Sequence, residues 1–86
     1  MVVILRGIKK QKFNNDKGET VSGNRLFFEY EDEQINGVAC DSKWFPDGGD
    51  IELPELQLNH KYDFVYDVSV INGKASAKLR DVKKLN

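Results

Sequence analysis

The sequence predicts an all-β fold, and three observations support this fold class. Apolar residues recur with a period of two along much of the chain, most regularly from Tyr62 to Val70, which is typical of strands with one buried face. Clusters of Gly, Asn, Asp and Pro separate the alternating stretches and indicate turns. No segment keeps a 3.6-residue apolar period over three helical turns. At 86 residues, the chain is expected to form a single domain spanning 1–86.

The first strand is predicted from Val2 to Phe13. Its opening residues, 2–5, are apolar on both faces, as expected for a strand that is covered on both sides. Gly7 would allow the bulge or sharp coiling that a long barrel strand needs. A polar segment at 14–18 has the composition of a turn.

The second strand is predicted over 20–31 and the third over 35–45. Side chains of the second strand alternate, so we place Leu26, Phe28 and Tyr30 inward and Arg25, Phe27 and Glu29 outward. The shared, buried face of the third strand is expected to hold Val38, Cys40 and Trp44. Lys43 and Phe45 would then point outward, on the same side as Phe27.

The fourth and fifth strands are predicted to form a tight hairpin. The even positions from Tyr62 to Val70 are apolar, and Asn72-Gly73 supplies the two positive φ angles of a type I′ turn. The fifth strand would continue with Ala75, Ala77 and Leu79 inward. After Asp81 the inward phase slips to Val82 and Leu85, which predicts a bulge or the exit of the chain from the sheet.

The arrangement of these five strands favours a small OB-type barrel. Residues 46–61 form a long connection, in which 52–58 is predicted to be a short extended piece rather than a helix. An SH3-like barrel is the alternative, but its strands are usually shorter and the long connection suits the OB type better.

The formal net charge of −1 is the sum of three segments of the sequence with different charge. Residues 1–28 contain six basic and two acidic residues, residues 29–67 contain two basic and eleven acidic ones, and residues 68–86 contain five basic and one acidic residue. A fold that brings the two basic ends together would have one positive side.

The sequence offers little support for catalysis, metal binding or membrane insertion. His60 lies at a predicted turn without a nucleophile beside it, and one His with one Cys cannot build a structural zinc site. The acids at 47–52 lack EF-hand spacing, and the glycines form no phosphate-binding motif. We expect no enzyme activity and no cofactor. The single Cys40 and the absence of a signal-peptide or transmembrane stretch lead us to expect a cytoplasmic protein without membrane contact.

Nucleic-acid binding is better supported. In an OB barrel, oligonucleotides lie across strands two and three, between the loops that join strands one and two and strands four and five. The candidate residues of the two loops and their stems are Lys10, Lys12, Phe13 and Lys17 and, from the other loop, Lys74, Lys78 and Arg80. The candidates on the face itself are Arg25, Phe27 and Lys43. The cations would attract phosphates, and a base could stack on Phe27. Alternatively, Phe27 packs on the chain's own loop or on a second subunit.

The chain also resembles a known family, the small phage single-stranded DNA-binding proteins typified by the filamentous-phage gene V protein. The resemblance rests on the apolar first strand, the Gly-led segment 23–29, the strand opening at 62–65 and the closing strand at 75–82. It implies cooperative binding of single strands by two-fold dimers, with Leu26 and Phe28 near the DNA. That placement conflicts with the alternation, which puts both residues inside. The family's loop is richer in arginine, whereas only Arg25 lies near it here.

We therefore expect non-catalytic binding of single-stranded nucleic acid, with DNA favoured and RNA left open. The alternative is a protein-interaction module that docks a partner through the acidic 29–67 block or an exposed apolar face; a small enzyme is a distant third. A homodimer is expected because Val65 and Ile71 add apolar surface on the outward side of the fourth strand.

Overall fold

The computed structural model describes residues 1–85 and contains five strands, namely β1 (Val2–Asn14), β2 (Thr20–Tyr30), β3 (Ala39–Pro46), β4 (Lys61–Ile71) and β5 (Lys74–Lys84). All neighbours are antiparallel, and the strand order in the single sheet is β3-β2-β1-β4-β5. The all-β prediction is confirmed. The order ends at β3 and β5, so the sheet of the described residues is open rather than closed into a barrel.

A bulge divides β1 into two parts. The register with β2 shifts between Leu5 and Gly7, which leaves Arg6 without a direct partner, so the irregularity expected at Gly7 is confirmed. Only Val2–Ile4 also pair with β4. Beyond the bulge, β1, β2 and β3 extend as a three-stranded unit, which we call the wing.

The hairpin between β4 and β5 forms as predicted. Asn72 and Gly73 have φ values of 53° and 76°, the left-handed conformation that a type I′ turn requires. A second bulge lies in β5, where Val65 pairs with Asp81 and Tyr66 with Leu79, so Arg80 is the extra residue. Because of this bulge, the buried positions of β5 change from the odd-numbered Leu79 to the even-numbered Val82, as the sequence indicated.

The hydrophobic core lies on one face of the sheet, with Phe64 at its centre. The Phe64 ring meets Phe28 edge-on at a centroid distance of 4.9 Å and Phe45 at 6.3 Å. The other buried members are Val3, Leu5, Leu26, Tyr62, Leu79 and Val82. The inward phase of Leu26 and Phe28 is therefore confirmed.

The connection from 47 to 60 contains neither a strand nor a helix, so the prediction that 52–58 is not helical is confirmed. It covers the core with Ile51, Leu53 and Leu56. The Tyr62 hydroxyl holds it in place by donating to the Glu55 carbonyl and accepting from the Gln57 amide, both at 2.8 Å. These two bonds satisfy the hydroxyl at the edge of the core.

The predicted phase of β3 is wrong, and so is its start. Residues 35–38 precede the strand, Val38 is 59% exposed and Cys40 is an exposed thiol. Phe45 is the buried aromatic residue and Trp44 lies on the opposite face. Alternation alone could not choose between two adjacent aromatic residues. The choice follows from the contact that Phe45 makes with Phe64 in the core.

The buried face predicted for β4 is correct only in its first half. Tyr62 and Phe64 are buried, but Tyr66 is exposed, and Val68 and Val70 on the same phase are 71% and 70% exposed. Ala75 and Ala77, which pair with these valines, are exposed as well. The hairpin extends past the body of the protein, and no described strand lies opposite its tip to cover it.

Candidate nucleic-acid interface

The wing has an outer face, opposite the core, on which basic and aromatic side chains alternate. Arg25 pairs across the sheet with Lys9 of β1 and Trp44 of β3. Because directly opposed residues of antiparallel strands share a face, these three form one row. Phe27 lies in the next row, between Gly7 and Ser42.

Trp44 and Phe13 form an aromatic pair at the far end of this face. Their ring centroids are 5.6 Å apart with an interplanar angle of 50°. The Trp44 ring reaches Phe13 by lying over Gly23, whose missing side chain leaves room for it. Phe13 is 48% exposed and Trp44 is half-buried. The pair is thus fixed by packing and still presents ring surface to solvent.

Phe27 has one covered side and one open side. A Cβ placed on Gly7 would lie 3.5 Å from both Cβ and Cδ2 of Phe27, so the ring packs along the backbone of β1. The side chain is nevertheless 40% exposed, which confirms its outward phase. Its open side borders a groove of about 370 Å³ that Arg6, Cys40 and Ser42 also line.

The Arg25 guanidinium is oriented by neutral groups only. Its Nε donates to Gln11 Oε1 at 3.4 Å and its Nη1 to Ser42 Oγ at 3.5 Å. Both bonds are long and leave the charge uncompensated. Neither Arg25 nor Lys9 forms an ion pair within residues 1–85. The outer face therefore keeps two positive charges beside its aromatic rings.

A bidentate ion pair marks the end of this basic region. Arg6 Nε lies 3.2 Å from Glu29 Oε1, and Nη2 donates to Oε2 at 3.3 Å. Arg6 Nη1 also donates to Asn59 Oδ1 at 2.7 Å. The pair neutralises the carboxylate closest to Phe27 along β2.

The other predicted site residues are spread over several surfaces. Lys10 and Lys12 pair with Asn24 and Ser22 and lie on the core side of the wing, not on the outer face. Lys17 lies at the β1–β2 turn. Lys74 follows the β4–β5 turn, and Arg80 Nε lies 3.4 Å from Asp67 Oδ1.

The expectation that Lys43 and Phe45 share the side of Phe27 is wrong. Lys43 pairs with Leu26 and therefore lies on the core side of β3, while Phe45 is buried. Lys43 instead lines a groove of about 170 Å³ together with Lys78 of β5. Two predicted site residues from distant parts of the sequence therefore line the same groove, between the edge strands β3 and β5.

Trp44 and Lys9 are the residues of the outer face that the sequence reasoning missed. Alternation predicts Trp44 in the core, and Lys9 is predicted in the basic stem of the first loop rather than on this face. Gly7 and Gly23 could have indicated this face in the sequence, because a glycine within a strand often marks the place where another group approaches the backbone closely. Here both glycines are covered by outer-face aromatic rings.

The pKa of Tyr66 is raised by partial burial and, to a lesser degree, by the nearby Asp41 and Tyr30; these groups lie at the rim of the core. Within residues 1–85, no cluster of three His, Cys, Asp or Glu side chains could hold a metal ion, and no helix is long and apolar enough to cross a membrane.

Comparisons with known proteins identify no relative. No family model, no curated protein and no solved structure matches the chain.

Proposed function

We propose that this protein binds single-stranded nucleic acid, DNA in the first place, without catalysing a reaction. The observation that carries the proposal is the outer face of the wing. It combines the Phe13–Trp44 pair and the half-open Phe27 ring with the charges of Lys9 and Arg25, which form no ion pair among residues 1–85. Aromatic rings interleaved with cations are the elements from which single-strand-binding surfaces are built.

Each element has a distinct role in this mechanism. Lys9 and Arg25 neutralise phosphates and release counterions, which favours any nucleic acid. The rings of Trp44 and Phe27 stack with bases, each contact contributing about 1–3 kcal/mol. Since bases in a duplex already stack on one another, only a single strand offers faces to both rings. The combination therefore favours single strands over duplexes.

The remaining cations extend the positive field in this proposal. Lys10, Lys12 and Lys17 surround the wing, while Lys43 and Lys78 line the groove between β3 and β5. We take the sheet to be an open variant of the OB-type barrel, with this groove at the place where β3 and β5 would meet. The five-strand order and the long third connection support this assignment.

We further propose that the protein acts as a homodimer in the cytoplasm. The hairpin presents Val68 and Val70 to solvent on one face and Ile71 on the other, and exposed apolar surface of this kind is normally covered by a partner. A two-fold contact would cover the same surface on both copies. The free thiol of Cys40 fits a reducing compartment.

A second candidate function, docking of a protein partner, is favoured by one observation. The segment 31–38 is exposed throughout, carries Glu31, Asp32 and Glu33, and also exposes Ile35 and Val38.

Fluorescence anisotropy with labelled oligonucleotides tests the proposed function. At low salt, a single-stranded oligonucleotide should bind markedly more tightly than the duplex of the same sequence. The affinity should fall steeply as salt is added, because phosphate contacts release counterions. Equal affinity for both forms, or no measurable binding at low salt, would contradict the proposal.

A further inference from the structure

A groove lies at the opposite end of the outer face from Trp44. Its volume is about 480 Å³, and it is lined by Met1, Val2, Ile4, Glu29, Tyr30, Glu31, Val38 and Lys61. We call it the acidic groove. Its size falls in the range of about 300–1,000 Å³ that is usual for ligand-binding clefts.

The floor of the acidic groove is apolar. Ile4 lies between Glu29 of β2 and Lys61 of β4 in the sheet, and Val2 is exposed beside it. Val38 and the neighbouring Ile35 expose further apolar surface from the segment before β3. A concentration of exposed aliphatic side chains in one concave place indicates an interaction site rather than scattered surface residues.

Acidic residues outnumber basic ones around the groove: Glu29, Glu31 and Lys61 line it, and the adjoining Asp32 and Glu33 are also acidic. Arg6 neutralises Glu29, and the amino group of Met1 lies 3.1 Å from Asp63. Glu31, Asp32 and Glu33 have no ion pair within residues 1–85. The Asp32 carbonyl and carboxylate accept hydrogen bonds from the amides of Ile35 and Gln34 at 3.0 and 2.9 Å. These bonds form a turn that holds the three acids beside the groove.

This charge excludes one class of occupant and favours another. Phosphates would be repelled, so the acidic groove is distinct from the nucleic-acid surface proposed above. Positive charge beside apolar side chains would match both the rim and the floor. The cations of this chain lie mainly in paired strands and tight turns, so an extended peptide from another protein is the occupant that we consider.

We propose that the acidic groove docks an extended segment of another protein, in which aliphatic side chains alternate with Lys or Arg. The aliphatic side chains contact Val2, Ile4 and Val38, and the cations face Glu31 and its acidic neighbours. This inference rests on the second candidate function, docking of a protein partner, and does not depend on nucleic-acid binding.

Synthetic peptides test the proposal directly. The probe is a fluorescent seven-residue peptide of alternating Lys and Leu, compared with one in which Glu replaces Lys and one in which Ser replaces Leu. The Lys/Leu peptide should bind the full-length protein at least tenfold more tightly than either control. Amide shifts in NMR spectra should change at Ile4, Tyr30 and Val38. Equal binding of the Lys/Leu and Glu/Leu peptides, or no binding at millimolar concentration, would overturn the proposal.

Matched variants locate the contact. Val38→Ser and Glu31→Gln should each weaken binding of the Lys/Leu peptide at least threefold, while Leu58→Ser and Glu19→Gln, which change exposed residues outside the groove, should not. Single-strand binding should be unchanged in the Val38→Ser protein, which separates this site from the wing. If Val38→Ser instead abolishes self-association of the protein, the groove is occupied by a second copy and the proposal is wrong.

Discussion

The ring of Trp44 occupies the space above Gly23. A Cβ on Gly23 would lie 2.9 Å from Trp44 Cη2, 2.8 Å from Pro46 Cα and 2.4 Å from the Phe45 carbonyl oxygen. These separations are too short for real contacts, and two of them involve backbone atoms that cannot move independently. Gly23 thus fixes both the position of the tryptophan ring and the closeness of β2 and β3.

The first prediction concerns this contact. Gly23→Ala should destabilise the fold by roughly 1–3 kcal/mol, because overpacking forces the neighbouring strand to shift. It should also change the emission of Trp44, the only tryptophan in the chain. Gly7→Ala is the matched control, since its Cβ would meet Phe27 at an ordinary contact distance of 3.5 Å. Thermal denaturation measures both, and equal losses of stability would contradict the special role of Gly23.

The second prediction separates binding from stability. Phe27→Ala should lower the affinity for a single strand roughly 5- to 150-fold, equivalent to the loss of about 1–3 kcal/mol of stacking. Phe64→Ala, in the centre of the core, should cost about 3–5 kcal/mol of folding free energy. If Phe27→Ala reduces the melting temperature as severely as Phe64→Ala, then Phe27 is a core residue and the stacking model fails.

The third prediction concerns the phosphate contacts. Arg25→Gln should weaken single-strand binding and make the slope of log affinity against log salt less negative by roughly 0.7. Lys17→Gln and Lys74→Gln should each have the same effect if the turns flank the bound strand. Lys61→Gln, beside the acidic groove, should leave the slope unchanged. Equal changes for Arg25 and Lys61 would show that only diffuse attraction operates.

The fourth prediction concerns the hairpin. Sedimentation at high micromolar concentration should show a dimer, and the double change Val68→Lys with Val70→Lys should convert it to a monomer, because buried lysines would oppose the contact. Leu58→Lys, which alters an exposed apolar residue outside the hairpin, should leave the dimer intact. A wild-type protein that sediments only as a monomer would rule out the proposed dimer.

The sequence predicted best those features that depend on local chemistry. Asn72-Gly73 forms a type I′ turn because both residues readily adopt positive φ angles. The change of the apolar positions from odd-numbered Leu79 to even-numbered Val82 predicted the bulge in β5. Strand alternation also predicted that Phe27 points outward, since Leu26 and Phe28 on either side of it point inward; the structure buries both of these neighbours. None of these features requires knowledge of distant contacts.

The predictions that were wrong concern features that depend on tertiary structure. Whether Trp44 or Phe45 enters the core is decided by Phe64 on β4 and by the space above Gly23. The exposure of Val68 and Val70 follows from the absence of a described strand opposite the hairpin tip. Alternation identified a strand with one apolar face in both cases. It could not show what lies against that face.

Trp44 fluorescence gives the most direct test of the proposed nucleic-acid interface. Because Trp44 is the only tryptophan and lies on the outer face of the wing, its emission reports on that face alone. Addition of a single-stranded oligonucleotide at low salt should quench the emission, with the same midpoint as the anisotropy change, and the matching duplex should quench it far less. An anisotropy change without any change in Trp44 emission would place the nucleic acid elsewhere and contradict the account.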